Sequence, residues 1–247
     1  LGPALGPVIG GALAQMVGLR MAFIGAAVMF FGAFLLVIVG YREGTERRAQ
    51  RDDPPRAQVT FRELLTVPHF AIFLGTIFAL QMVDRSFGPV LPLYLREVGV
   101  APTQVPVLAG LVFTVAAGSG AVGNQLCNWL LRHVSGQQLI MAGAGIAGVS
   151  TVVFSLGPSA PWLVAAAAPF GAGLGVAFTT VYTMAGQRVP AESRGVAFGY
   201  LTTASLSGLA ISPVVSGLLG AVTMRGVFVA DALGLGVVVW MIRRRMR

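Results

Sequence analysis

Leu5-Gly6-Pro7-Val8-Ile9-Gly10-Gly11-Ala12-Leu13 lies at the start of the chain and has a loose counterpart near its end, Ile211-Ser212-Pro213-Val214-Val215-Ser216-Gly217-Leu218-Leu219. The two prolines occupy the same place in the two segments, and they are separated by far more than the roughly 20 to 50 residues of a solenoid repeat. A repeat at this distance predicts two large halves of one architecture, of which the chain holds only the end of the first. The alternative is chance similarity between two glycine-rich apolar segments.

The composition is that of a membrane protein. The chain has 247 residues, of which 55% are hydrophobic and 11% are charged, and its mean hydropathy is +0.80. A soluble domain could not carry this much apolar surface. The formal net charge of +8 comes from arginine alone, because the chain has no lysine. These arginines lie between apolar runs rather than on one polar face, so we expect no binding to nucleic acid.

Eight apolar runs are long enough, at about 20 residues each, to cross the hydrocarbon core of a bilayer as helices. A membrane-spanning strand would need only ~9–11 residues, so the predicted fold class is an all-α membrane protein. The runs occupy residues 1–17, 21–39, 69–93, 105–127, 138–157, 161–186, 195–220 and 226–242. The polar stretch 41–68 separates the second run from the third. It contains Asp52-Asp53-Pro54-Pro55, which would interrupt any helix, and Phe61–Leu65, which predicts a short amphipathic turn.

Arginine is distributed unequally between alternate connections of these eight runs. The richer set comprises the stretch 41–68, Arg132, Arg188 with Arg194, and the tail 243–247, whereas the poorer set holds only Arg20, Arg96 and Arg225. In membrane proteins the loops rich in arginine and lysine stay on the cytoplasmic side. We therefore expect a multi-pass protein of the cell membrane with a cytoplasmic C-terminus.

The opening segment also carries a packing motif. Gly2, Gly6 and Gly10 recur at every fourth position, so they share one face of a helix and let a neighbouring helix approach closely. Pro7 removes one backbone donor and bends the helix locally. An ordinary packing interface of small residues would have the same spacing, but the Gly-Pro pair and the additional Gly11 make the pattern more specific.

This pattern closely resembles the antiporter motif of the major facilitator superfamily, which in its drug:proton antiporters lies on the fifth of twelve helices. Pro190-x-x-x-Arg194-Gly195-x-x-x-Gly199 and Pro89–Leu95 are also typical of the superfamily. The resemblance implies that the chain covers helices five to twelve. It divides the chain into the last two helices of the first six-helix half (1–40), a central cytoplasmic loop (41–68) and the second six-helix half (69–247).

One segment departs from the superfamily. The Gly/Asp/Arg signature between helices eight and nine should fall within residues 123–136, but no carboxylate occurs between Glu97 and Glu192. Arg132 therefore lacks an acidic partner in its own loop, which puts in doubt the conformational latch that the signature implies.

Ionisable residues deep inside membrane helices are costly and are candidates for function. Asp84 and Arg85 are such residues in the third apolar run. The resemblance implies that this run lines the central cavity and that Asp84 is the carboxyl group that binds a coupling proton. A structural ion pair that locks helices together is the alternative. Further candidates for contact with substrate or proton are the polar residues Gln81, Asn124, Tyr182 and Thr183.

Asp231 lies in the last apolar run, at a depth similar to that of Asp84. The resemblance places this run behind the third apolar run, which corresponds to the seventh helix of the superfamily, and away from the cavity. A lone carboxylate in that position would be costly. We therefore expect Asp231 to form a structural ion pair with Arg85, which would leave Asp84 facing the cavity. An apolar wall for a substrate could come from Phe113, Phe170, Phe178 and Met184, although contact with lipid or core would also explain these side chains.

Catalytic and metal-binding patterns are missing from the sequence. His69, His133 and Cys127 are scattered at helix ends, and no glycine-rich segment has the form of a phosphate-binding loop. We expect no enzyme activity, no cofactor and no metal site.

The sequence and the resemblance together predict a secondary active transporter that exports small amphipathic molecules by alternating access, through proton-coupled antiport. The expected partners are membrane lipid, a small-molecule substrate and the coupling proton, and the complete protein is expected to be monomeric. The first alternative is a facilitator or symporter for a sugar or another metabolite. The second is a non-transporting, truncated remnant.

Overall fold

The structure, a computed structural model, describes residues 2–40 and 60–246, and it describes side chains from residue 6 onward. Most of the predicted central loop, including Asp52-Asp53-Pro54-Pro55, lies outside the described residues. Within them all regular secondary structure is helical, with one 3-10 turn at Ala191–Ser193. The helices are α1 (Gly2–Val17), α2 (Leu19–Gly40), α3 (Phe61–Thr66), α4 (Phe70–Glu97), α5 (Val105–Leu130), α6 (Gly136–Leu156), α7 (Ala160–Arg188), α8 (Arg194–Val222) and α9 (Met224–Arg245).

The eight predicted apolar runs all form helices in the described part of the chain. Seven of them are long and apolar enough to cross a membrane, and α1, with 16 residues, is shorter. The predicted amphipathic turn is α3, which begins with a capping box between Thr60 and Glu63. The all-α membrane fold is therefore confirmed.

The largest difference from the predicted boundaries is at the end of α4, which continues past residue 93 to Glu97 despite Pro89 and Pro92. Prolines are tolerated inside membrane helices because neighbouring groups satisfy the freed carbonyls. The helix stops where Gly99 adopts a left-handed conformation with φ of 89°. There the N–H of Val100 donates to the carbonyl of Leu95 at 3.0 Å, which completes a glycine-terminated C-cap.

The helices pack in a continuous order around one central space. Helix α7 lies between α5 and α6, while α4 contacts α8 and α9, and α6 contacts α9. Contacts of α4 with α5 and α7 close the bundle, and α1 joins it through α5. The space enclosed by α4, α5, α7 and α8 is therefore the place where side chains from several helices converge.

Glycines on α7 set its close approach to two neighbours. A methyl group on Gly171 would overlap the carbonyl oxygen of Ala116 on α5. One on Gly173 would lie 2.6 Å from the carbonyl oxygen of Gly143 on α6. Because residues two apart on a helix point about 200° apart, alternate glycines let α7 contact both helices with its backbone.

An aromatic cluster closes the bundle near the C-terminal end of α4. Phe87 is its centre, and its ring centroid lies 4.5 Å from that of Phe170, 4.9 Å from that of Phe154 and 5.2 Å from that of Phe228. The buried Tyr94 packs on Phe228, and its hydroxyl donates to the carbonyl of Phe154 at 3.0 Å. This cluster ties α4, α6, α7 and α9 together on one side of the central space.

Candidate functional site

A cavity of about 990 Å³ lies between α4, α5, α7 and α8. This volume is at the upper end of the ~300–1,000 Å³ typical of small-molecule sites. Its apolar wall contains six aromatic side chains together with glycine, alanine and other small or aliphatic residues. The aromatic side chains are those of Phe87, Phe113, Phe154, Phe170, Phe178 and Tyr182. Its polar lining comprises Gln81, Asp84, Arg85, Asn124, Thr179, Thr183 and Ser205.

The six polar residues selected from the sequence for substrate or proton contact all line this one cavity: Gln81, Asp84, Arg85, Asn124, Tyr182 and Thr183. They come from three helices, α4, α5 and α7, which are brought together only by the tertiary fold. The structure shows where these residues are, and their roles stay predictions.

Asp84 and Arg85 form an ion pair within the cavity wall. The Nε atom of Arg85 lies 3.1 Å from a carboxylate oxygen of Asp84, and the two side chains are 54% and 35% exposed. Neighbouring side chains of a helix diverge by about 100°, so this contact requires the two side chains to bend toward each other. The pair therefore places one negative and one positive group in the cavity, with no net charge.

The expected ion pair between Arg85 and Asp231 is wrong. Asp231 instead accepts a hydrogen bond from the Ser86 hydroxyl at 2.5 Å. Ser86 is 3% exposed and faces α9, whereas Arg85, one residue earlier, points into the cavity. The prediction placed α9 correctly against α4, but it chose the wrong residue of α4. Positions 85 and 86 point about 100° apart on the helix, so only one of them can face α9.

Two amide side chains form hydrogen bonds across helix pairs. Ser205 of α8 donates its hydroxyl to Oε1 of Gln81 on α4 at 3.1 Å. Thr179 of α7 donates its hydroxyl to Oδ1 of Asn124 on α5 at 2.8 Å. In each pair the amide oxygen is the acceptor, and the amide nitrogen is left for other partners.

Most of the other hydroxyls on α7 and α8 bond back to carbonyls of their own helix, as membrane hydroxyls commonly do. Ser212 of α8 is an exception, because its hydroxyl donates to the carbonyl of Met82 on α4. Thr183 donates to the carbonyl of Thr179 at 2.8 Å. The same pattern is found for Thr180, Thr202, Thr203 and Ser207. Thr179 and Ser205 are therefore distinguished from their neighbours, because each contacts another helix through a cavity residue.

Of the four side chains considered for an apolar wall, Phe113, Phe170 and Phe178 line the cavity. Met184 does not, because it packs against Gly136 at the start of α6, where a methyl group would lie 2.5 Å from its sulfur. Phe87 and Phe154 were not selected from the sequence. Their only sequence signal is that they belong to apolar runs, and that signal is shared by every core aromatic residue.

The glycine motif of α1 packs against α5, but not through the face that its spacing suggested. A methyl group on Gly11 would lie 2.5 Å from the carbonyl oxygen of Pro106. One on Gly110 would lie 2.5 Å from the carbonyl oxygen of Pro7. The N–H of Val8 also donates to the hydroxyl of Thr114 at 3.1 Å. The contact face thus contains Pro7 and Gly11, four residues apart.

Gly6 and Gly10 have open space where a side chain would be placed. The predicted packing through these glycines is therefore wrong for the contact with α5, and Gly2 lies outside the described side chains. The physical reason is that positions 6 and 10 precede positions 7 and 11 by one residue each, which rotates their face by about 100°.

Comparisons with known proteins agree with this architecture. A sequence profile of the Major Facilitator Superfamily matches residues 1–213. The multidrug resistance protein MdtG of Rahnella sp. (strain Y9602) is 30% identical over 114 residues, which are 46% of this chain and 27% of that protein. The multi-drug resistance efflux pump PmrA homolog of Lactococcus lactis subsp. lactis (strain IL1403) is 22% identical over 94% of this chain and 57% of its own length.

Solved structures of similar fold are those of a bacterial metal transporter and of a bacterial homologue of the iron transporter ferroportin in an inward-facing state. The first has a TM-score of 0.70 at 15% identity over 99% of this chain and 62% of its own. The second has a TM-score of 0.68 at 18% identity over 98% of this chain and 60% of its own. This chain thus spans less than two thirds of each of these four proteins. Since the family profile covers most of the chain, the chain belongs to the Major Facilitator Superfamily of membrane transporters.

Proposed function

We propose that the full-length protein is a proton-coupled antiporter that exports small amphipathic molecules by alternating access. The observation that carries this proposal is the cavity, in which six aromatic side chains and one carboxylate, that of Asp84, line the same wall. The likeness to multidrug resistance and multi-drug efflux proteins supports the same substrate class.

The aromatic wall supports binding of an apolar, ring-containing substrate. Phe113 and Phe178 face the cavity from α5 and α7, and Phe87 and Phe170 belong to the cluster at its closed side. Aromatic rings attract other rings in offset or edge-on geometry, beyond the effect of buried area.

Asp84 is the group proposed to bind the coupling proton. It is 35% exposed toward the cavity, so a proton could reach it from whichever side of the membrane the cavity opens to. Protonation would remove the negative partner of Arg85 and so break the ion pair within the wall. A change of charge at this position is a means by which proton binding could alter the cavity that a substrate occupies.

Alternating access is proposed to depend on the contact between α1 and α5. In the proposed division, residues 1–40 belong to the first half and 69–247 to the second, so this contact joins the halves. Its backbone-to-backbone approach at Gly11 and Gly110 leaves a smooth surface on which two rigid bodies can rotate. We also propose that the C-terminus is cytoplasmic, on the basis of the arginine distribution.

The test is uptake of a fluorescent aromatic amphipath into inverted membrane vesicles that hold the full-length protein. An imposed pH gradient should drive accumulation, and Asp84→Asn should abolish it. Asp231→Asn is the matched control, because its amide oxygen can still accept from Ser86 and because Asp231 does not line the cavity. The control should retain at least half of the uptake. Uptake that does not depend on the pH gradient would favour a facilitator. Uptake at the wild-type level by Asp84→Asn would refute the role of Asp84.

A further inference from the structure

We infer that the cavity selects uncharged aromatic molecules that carry hydrogen-bond acceptors, and that it disfavours organic cations. This inference rests on the proposed function, in that it takes the cavity to be the substrate site. It is carried by the direction of the hydrogen bonds at Gln81 and Asn124, which leaves donors rather than acceptors facing the cavity.

Gln81 presents the more buried of the two donors. The residue is 7% exposed, and Oε1 is engaged by the hydroxyl of Ser205. Its amide nitrogen makes no hydrogen bond within the described part of the chain. Among the described residues, the fully enclosed polar atoms without a partner belong to His69 and Thr76, so the Gln81 nitrogen keeps some accessible surface, and Gln81 lines the cavity. Two N–H groups on a side chain that is more than nine-tenths buried thus remain for a ligand.

Asn124 presents the second donor from the opposite helix pair. Its Oδ1 accepts from Thr179 and also lies against Gly175, where a methyl group would be 3.0 Å away. Contact with the Cα of a glycine suits an oxygen, which can accept a weak C–H hydrogen bond, better than an NH₂ group. The amide nitrogen is therefore directed away from α7, and it has no acceptor among the described residues.

The charged residues do not reverse this preference. Asp84 is paired with Arg85, so a cation would have to compete with a guanidinium 3.1 Å from the carboxylate. Arg85 uses its Nε in that pair and keeps further N–H groups, which add to the donors of the wall. A neutral ligand with carbonyl oxygens satisfies these donors and leaves the ion pair intact, whereas an ammonium group provides no acceptor for them.

Asn124→Asp removes the donor and keeps the acceptor. Aspartate keeps an oxygen for the Thr179 hydroxyl and nearly the same shape, but it removes the N–H groups and adds a negative charge. Asn124 is exposed in the cleft, so the substitution does not bury a new charge. Asn128→Asp is the matched control, because Asn128 is also exposed, lies one turn further along α5 and is not part of the cavity lining.

The experiment measures binding of three ligands of the same ring system to the purified full-length protein in lipid nanodiscs, by equilibrium dialysis against empty nanodiscs. The ligands are acetylnaphthalene, which has a carbonyl acceptor, ethylnaphthalene, which has none, and naphthylethylammonium, which is a cation. We expect the wild type to bind the ketone about tenfold more tightly than the other two, as one or two net hydrogen bonds would give. Asn124→Asp should remove most of that advantage, and Asn128→Asp should keep it.

The possible outcomes are distinct. Tightest binding of the cation, with uptake driven by the pH gradient, would overturn the inference and leave the proposed function standing. A ketone affinity that is unchanged in Asn124→Asp would also overturn it. Absence of binding for all three ligands, together with absence of gradient-driven uptake, would overturn the proposed function and the inference with it.

Discussion

The hydroxyl oxygen of Ser86 lies 2.5 Å from a carboxylate oxygen of Asp231, and this hydrogen bond joins α4 to α9 one residue after the Asp84–Arg85 pair. One turn of α4 therefore makes two contacts that involve carboxylates, those of Asp84 and Asp231, on different faces of the helix. The cavity face holds Asp84, and the face toward α9 holds Ser86. Movement of this turn would affect both contacts together, because they share one rigid segment of helix.

The first prediction concerns this hydrogen bond. Ser86→Ala leaves the carboxyl group of Asp231 without its partner in a largely apolar environment, and we expect a loss of about 1–3 kcal/mol in the free energy of unfolding. Thermal unfolding in detergent should show a lower midpoint. Ser207→Ala is the control, since Ser207 is exposed and bonds only to the carbonyl of Thr203. Equal midpoints for the two variants would mean that the Ser86–Asp231 contact contributes no stability.

The second prediction concerns the backbone contact between α5 and α7. Gly171→Ala places a methyl group where the carbonyl of Ala116 lies, so the helices must separate or shift. Overpacking of this kind costs about 1–3 kcal/mol, and it would also displace the cavity lining on α7. We expect a lower unfolding midpoint and weaker ligand binding. Gly118→Ala on α5 has open space for its methyl group and should behave as wild type. If both variants bind and unfold alike, the close approach is not required.

The helices could be predicted from the sequence because spanning a bilayer demands long apolar runs, and this demand leaves a strong signal. The cavity residues could be selected because amides and ions are rare and costly in membrane helices, so the few that occur have a reason to be there. Gln81, Asp84 and Asn124 were found in this way. Their common location could not be derived from periodicity, and it followed only from the resemblance to a family.

The rotation of each helix about its axis could not be predicted. The sequence contains 33 glycines, so small residues fall on several faces of most helices and do not single out one contact face. This is why Gly6 and Gly10 were predicted to pack together with Pro7 and Gly11, although only Pro7 and Gly11 make the contact with α5. For the same reason, Arg85 rather than the next residue, Ser86, was predicted to be the partner of Asp231. Packing against neighbours decides such rotations, and it is not encoded in the local pattern.

The third prediction concerns the orientation of the chain in the membrane. A reporter fused after Arg247 should read cytoplasmic, and one inserted at Ser159, between α6 and α7, should read extracytoplasmic. The reason is that the connections rich in arginine resist translocation. Alkaline phosphatase and green fluorescent protein fusions report opposite compartments and would check each other. A result that places both sites on the same side would contradict the arrangement of spanning helices.

The last prediction concerns the contact between α1 and α5. Gly11→Ala would bring a methyl group to 2.5 Å from the carbonyl oxygen of Pro106, whereas Gly10→Ala meets nothing within 4 Å. The two variants differ by one position in the same motif and have the same change in helix propensity, so their comparison isolates the contact. In the full-length protein we expect Gly11→Ala to reduce gradient-driven uptake severalfold while Gly10→Ala retains most of it. Gly110→Ala, which meets the carbonyl of Pro7 from the other side, should reproduce the loss. A greater loss in Gly10→Ala than in Gly11→Ala would show that the packing face used during transport is the one suggested by the glycine spacing, and not the one that contacts α5 in this structure.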